Sequence, residues 1–105
     1  VATKALRVGI VGYGMMGRAH AYAYRAAPII RPSSVVFTPV VMSGRNADAV
    51  AKSSRDSGID SWMTDWRQLV ERSDVDVVDV CTPPGTHAAI IEAAAQAGKD
   101  VFCEK

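Results

Sequence analysis

The chain has 105 residues, 49% of them hydrophobic and 22% charged, the size and make-up of one small domain with a core of its own. Twelve Lys and Arg stand against eleven Asp and Glu, a net charge of +1. They form no basic cluster, so neither nucleic acid nor a membrane surface is expected as a partner. No apolar run approaches a transmembrane length and no secretory segment opens the chain, which points to the cytoplasm. Val1 stands where a Met would start a chain, as in a processed or trimmed terminus.

Strand and helix alternate along the sequence. Leu6–Val11 is an almost continuous apolar run, suited to a strand buried on both faces of a parallel sheet. Met15–Ala26 reads as a helix stopped by Pro28, and residues 31–34 as a loop. Thr38–Ser43 is the second strand, with Pro39 near its start, where a missing N–H is tolerated. Asn46–Ser57 is a helix with Asn46 as N-cap and Gly58 as its stop. Ser61–Thr64 makes a short strand. Asp65 and Gln68 have capping-box spacing at the start of a third helix. Val75–Cys81, Thr86–Ala97 and Asp100–Cys103 complete the series as strand, helix and strand. Short β–α connections imply right-handed crossovers and helices on both faces. The expected order is 3-2-1-4-5, with the ligand crevice at the carboxyl ends of strands 1 and 4.

The first crevice motif is Gly12-Tyr13-Gly14-Met15-Met16-Gly17, between a strand and a helix. Gly12 permits the tight turn, Gly14 lets backbone approach a pyrophosphate, and Gly17 lets the helix pack closely on the strand. The helix's first amides lack intrahelical acceptors and, with the helix dipole, make an anion site. This pattern in this context points to a dinucleotide.

The second motif is Cys81-Thr82-Pro83-Pro84-Gly85-Thr86-His87, followed by an Ala-rich helix and Ala97-Gly98-Lys99-Asp100-Val101-Phe102-Cys103-Glu104-Lys105. The pair resembles the TPxxxH and AGKxVxxEKP signatures of the glucose–fructose oxidoreductase/inositol dehydrogenase (Gfo/Idh/MocA) family. The likeness runs from Leu6 to Lys105. It implies an α/β doubly wound parallel sheet, the Rossmann fold, and an NAD(P)-dependent oxidoreductase acting on a sugar, polyol or related hydroxyl/carbonyl compound. Pro84 departs from the family's frequent Asn.

By the same resemblance Lys105 is the catalytic residue of the longer protein, beside the nicotinamide and assisting the substrate hydroxyl, or else, in this chain by itself, an exposed terminal lysine. Glu104 lies near the nicotinamide ribose, or else is a solvated strand-end carboxylate. Thr82, Pro83, Thr86 and His87 border the cofactor, Thr86 alternatively serving only as an N-cap and His87 as a surface residue. Family members carry a further C-terminal domain holding most of the substrate pocket and an Asp and a His. The expectation is therefore a cofactor domain over residues 1–105 of a two-domain protein, inactive by itself. Its apolar docking face would favour self-association, and a homo-oligomer is expected.

Cofactor choice is read at the end of the second strand, Ser43-Gly44-Arg45-Asn46. Gly44 stands where an NAD-preferring domain places an acid. A carboxylate about 5 Å from a 2′-phosphate would cost about 3 kcal/mol per unit charge at an effective dielectric of about 20, and its absence removes that repulsion. Arg45 can reach the phosphate, or face solvent, while Ser43 and Asn46 can donate hydrogen bonds. NADP(H) is favoured over NAD(H).

Other residues read as structural. Asp79 lies mid-strand in a buried sheet, so it must be hydrogen-bonded or near an edge. His20, Trp62, Trp66, Met15 and Met16 read as packing, with His20 alternatively a cofactor-side surface residue and the two methionines also contributing loop amides. Cys81 and Cys103 read as buried free thiols, a disulfide between them staying open, and no metal site is expected. The alternative function is a dinucleotide-sensing regulator without catalysis. A short-chain dehydrogenase would need a Tyr-x-x-x-Lys pair, which the sequence lacks.

Overall fold

A computed structural model describes residues 4–105, so Val1 lies outside the described residues. Its elements are β1 (Lys4–Val11), α1 (Met15–Ile30), β2 (Val35–Ser43), α2 (Ala47–Asp56), β3 (Ser61–Met63), α3 (Trp66–Glu71), β4 (Val77–Val80), a 3-10 turn (Pro84–Thr86), α4 (His87–Gln96) and β5 (Asp100–Cys103). The five strands are all parallel in the order β3-β2-β1-β4-β5. This is the doubly wound sheet that strand–helix alternation requires.

Each face of the sheet carries its own core. Val8, Ile10, Met42 and Val77 pack with Ala21 of α1 and Val50 of α2. On the other side Val41, Val78 and Val80 pack with Leu69 and Val70 of α3 and Ile90 and Ala94 of α4. Alternate residues of β1, β2 and β4 are thus apolar towards both layers, which is why these strands read as unbroken hydrophobic runs.

Two prolines behave differently from expectation. Pro28 does not stop α1, which continues to Ile30. It sits in the last turn, where its missing N–H forfeits one helical bond and little remains to be broken. Pro39 lies in the middle of β2, because the strand begins at Val35. The register with β1 shifts there, from Val8↔Pro39 to Gly9↔Val41, and this bulge absorbs the absent donor. Asn46 caps α2 by accepting from Ala49 N–H at 3.0 Å. Asp65 caps α3 through Arg67 N–H at 2.9 Å, with Gln68 N–H going to the Asp65 carbonyl. Gly58 and Gly98 follow α2 and α4 with φ of +67° and +74°, conformations that favour glycine at helix ends.

Exposure corrects several packing assignments. Trp62 on edge strand β3 is 43% exposed, and Met15 and Met16 at the start of α1 are 74% and 39% exposed. Cys103 is also exposed, since β5 has a neighbouring strand on one side only. Both cysteines are free thiols. Among the described residues no helix is long and apolar enough to cross a membrane.

Candidate dinucleotide site

The carboxyl ends of β1, β2, β3 and β4 surround a cleft of about 570 Å³. Its lining includes Gly12, Tyr13, Gly14, Ser43, Gly44, Arg45, Thr82, Pro83 and Thr86, all anticipated from the sequence. Val11, Thr64, Trp66, Cys81 and Ile90 also line it. Thr64 and Trp66 were not anticipated; the signal for them was their place just after β3, because ligands in such sheets bind outside strand carboxyl ends. Trp66 therefore combines packing with a cleft-wall position, and the Arg67 guanidinium stands 4.5 Å from its ring centre.

The glycines do three separate jobs here. Gly12 has φ +115°, and a Cβ on it would lie 2.7 Å from the Cys81 carbonyl oxygen. A Cβ on Gly17 would run into the Gly12 carbonyl, so α1 reaches the strand only because position 17 is bare. A Cβ on Gly14 would meet nothing within 4 Å. That open space lies above the N-terminus of α1, whose first helical bond runs from Arg18 N–H to the Gly14 carbonyl. The Met15, Met16 and Gly17 amides precede that bond and are free to bind an anion. Neighbouring elements brace the loop: Gly12 N–H donates to the Ser43 carbonyl, and Ser53 Oγ of α2 donates to the Tyr13 carbonyl at 2.8 Å.

At the end of β2, the Tyr13 ring occupies the space a side chain on Gly44 would need. No carboxylate can stand there without moving it. Arg45 is exposed at the cleft edge. Asn46 spends its side-chain oxygen on the α2 cap. Ser43 Oγ is buried without a hydrogen-bond partner, the one such side-chain atom among the described residues. An orphaned hydroxyl in a cleft wall costs free energy until a ligand supplies its partner. This hydroxyl, the open cradle at Gly14 and the bare amides fit a ribose and a pyrophosphate.

The turn after β4 is tied to itself. Thr86 Oγ1 donates to the Pro83 carbonyl at 2.7 Å and lies 2.6 Å from Thr82 Oγ1. It makes no side-chain cap to α4. His87 Nε2 donates to the Thr82 carbonyl at 2.6 Å, which leaves Nδ1 as the acceptor in the neutral ring. Beyond β5, Glu104 N–H continues the ladder to the Val80 carbonyl at 2.9 Å, and Lys105 is exposed.

The sequence reading missed the cluster behind this end of the sheet. Asp79 is fully buried. Its Oδ2 accepts from Tyr24 at 2.6 Å and His20 Nδ1 at 2.7 Å, and its Oδ1 from the Cys81 thiol at 3.4 Å. The second ring nitrogen of His20 meets Glu104 Oε2 at 2.8 Å. Asp79 is thus satisfied, as burial demands. Burial opposes charge on His20, but the bonds and charges of Asp79 and Glu104 outweigh it and raise its pKa. Burial first, then Asp79, pushes the Tyr24 hydroxyl and the Cys81 thiol far above their usual ranges. His20, Asp79 and Cys81 offer donor atoms within 4.8 Å of one another. All three are already hydrogen-bonded together, and a thiol held protonated is a poor metal ligand.

A parallel sheet in this order, with a glycine cradle and a bare helix N-terminus at its switch point, defines a dinucleotide-binding domain. Residues 6–105 match the oxidoreductase family with an NAD-binding Rossmann fold. The chain belongs to that family, Gfo/Idh/MocA. It is 40% identical over 101 residues to levoglucosan dehydrogenase of Pseudarthrobacter phenanthrenivorans, covering 95% of this chain and 26% of that protein. Inositol 2-dehydrogenase of Acidothermus cellulolyticus is 37% identical over 102 residues, covering 97% and 28%. Among solved structures, levoglucosan dehydrogenase in complex with NADH and levoglucosan superposes with a TM-score of 0.92 at 39% identity, covering 97% of this chain and 28% of that one. An oxidoreductase domain protein from Kribbella flavida superposes at 0.89 with 45% identity, over 98% and 28%. The chain spans a little over a quarter of the length of these relatives.

Proposed function

We propose that this chain is the cofactor-holding domain of a dehydrogenase that moves a hydride between a nicotinamide dinucleotide and a sugar, polyol or related hydroxyl/carbonyl compound. The observation that carries the reading is the cleft at the carboxyl ends of the parallel strands, lined by Gly12, Tyr13 and Gly14 of the cradle and by Thr82, Pro83 and Thr86 of the turn after β4, with Glu104 and Lys105 following β5 at the same end of the sheet. Relatives named for levoglucosan and inositol support the substrate class. When bound, the nicotinamide ring supplies a two-electron hydride acceptor or donor.

The residues of the chain divide the remaining work. Amides of Met15, Met16 and Gly17 hold the pyrophosphate, and Ser43 Oγ takes a ribose oxygen as the partner it lacks. Thr82, Pro83 and Thr86 form the opposite wall, with His87 fixing the turn behind it. Lys105 holds or passes a proton at the substrate hydroxyl, and Glu104 borders the nicotinamide ribose. A domain following Lys105 covers the site and supplies the remaining acid–base partners, in a homo-oligomer of the cytoplasm. The free thiols fit a reducing compartment.

The finer cofactor reading is NADP(H) in preference to NAD(H). With Gly44 under the Tyr13 ring, no acid discriminates against a 2′-phosphate, and Arg45 is exposed at the cleft edge to meet it. The relative solved with NADH defines the opposing outcome. Titrating the protein with NADPH and NADH decides it: NADPH binding more tightly supports the assignment, and NADH binding as tightly or more tightly overturns it.

A further inference from the structure

Asp79 stands where the sheet otherwise carries hydrocarbon, one alternation beyond Val77 of the same core layer. Tyr24 and the Cys81 thiol already serve both of its oxygens. His20 adds a third partner, and its far nitrogen meets a second carboxylate, Glu104, 84 residues away in sequence. Ionised carboxylates only accept, so a ring bonded to one at each nitrogen is an imidazolium with a proton on both. The groups facing it are Tyr24 from α1, Asp79 and Cys81 from β4 and its end, and Glu104 from the end of β5. Such a bridge spans from the centre of the sheet to the residue before Lys105, while the β5 ladder past Cys103 contributes the Glu104 N–H bond.

We propose that His20 is a positioning residue: anchored on buried Asp79 through one ring nitrogen, it holds Glu104 with the other and so fixes the point from which Lys105 projects. The consequence for turnover rests on the dehydrogenase reading above, whereas the tether does not. Charge-assisted bonds of this length, partly shielded from water, outlast the exposed strand end that they secure. Without them the last residues after β5 hold only through an edge ladder open to solvent, which frays readily.

His20→Asn separates the two bonds. An Asn amide mimics Nδ1 and keeps Asp79 satisfied, but it is too short to reach Glu104. In the intact protein, hydrogen exchange at the Glu104 amide should quicken about tenfold or more in H20N, while the Val78–Val80 amides exchange as before. Exchange at Glu104 within about twofold of the wild type overturns the tether. Glu104→Ala leaves every partner of Asp79 in place while removing the acceptor of the second ring nitrogen, and it must quicken the residue-104 amide even if H20N does not fold. A second readout concerns catalysis: H20N should lower kcat about tenfold with dinucleotide affinity within about threefold, and the H20N/E104A double variant should fall no further than the worse single variant. Effects that multiply would mean that His20 does not act through Glu104. If the intact wild type oxidises no sugar or polyol, the dehydrogenase reading falls, and the amide exchange still decides the tether.

Discussion

Gly14→Val separates binding from folding more cleanly than any other change in the cradle. Gly14 has φ −74° and ψ −164°, a conformation open to every residue, and its Cβ would meet nothing within 4 Å. The cost to the free protein is confined to a poorer N-cap, about 1 kcal/mol, which lowers Tm by roughly 4–8 °C in a domain of this size. The added methyls enter the space over the Met15–Gly17 amides and exclude the pyrophosphate from them. Losing two charge-assisted hydrogen bonds at about 1.5–3 kcal/mol each removes roughly 3–6 kcal/mol, more than a hundredfold in affinity. Titration by quenching of protein fluorescence with NADH and NADPH, alongside thermal melts, measures both quantities. Gly17→Ala is the contrast, since its Cβ meets the Gly12 carbonyl and must push α1 off the sheet, costing about 1–3 kcal/mol of stability. Unchanged dinucleotide affinity in G14V would refute the cradle, whatever its stability.

Arg45→Ala should weaken NADPH binding by roughly 1–3 kcal/mol and leave NADH within about threefold; an unchanged affinity ratio removes Arg45 from the 2′-phosphate. Asp79→Ala strands His20 and Tyr24 beside a cavity and should cost about 3–5 kcal/mol in denaturant unfolding, a loss below about 1 kcal/mol contradicting the cluster. The His20 pKa is raised above its ordinary 6.5, so its contribution to stability is complete below that pH and is lost as pH rises through the folded value. Asp76 behaves oppositely: the hydrogen bonds from Arg7 hold it at about 2 against 3.8, so its contribution stands above 3.8 and is lost as pH falls through about 2. Stability should therefore decline towards alkaline pH, and His20→Asn should flatten that decline. The 105-residue chain incubated with NADP and a panel of sugars and polyols should show no turnover above a protein-free control, because hydride transfer needs a substrate held and shielded from water.

The sheet order and the glycine roles were legible because each follows from local chemistry. Gly12, Gly14 and Gly17 each answer one steric demand, and apolar runs on both faces leave a parallel sheet as the outcome. Pro28 and Pro39 misled because their cost depends on context: a last helical turn forgives the missing N–H, and a bulge hides it. Exposure at Trp62, Phe102 and Cys103 follows from their edge strands, a consequence already contained in the expected order 3-2-1-4-5 but not carried through to these side chains. The Asp79–His20–Glu104 bridge could be anticipated only in part. A mid-strand carboxylate demands a partner, but no spacing rule links positions 20, 79 and 104 until α1, β4 and β5 have packed.

The central claim is that a dinucleotide lies across the carboxyl ends of β1, β2 and β4. Amide chemical-shift mapping of isotopically labelled protein during titration with NADPH and NADH tests it directly. Shifts should concentrate at Gly12–Gly17, at Ser43–Arg45, and at Thr82 through His87. Shifts confined to other faces, or none at saturating dinucleotide, would contradict the account.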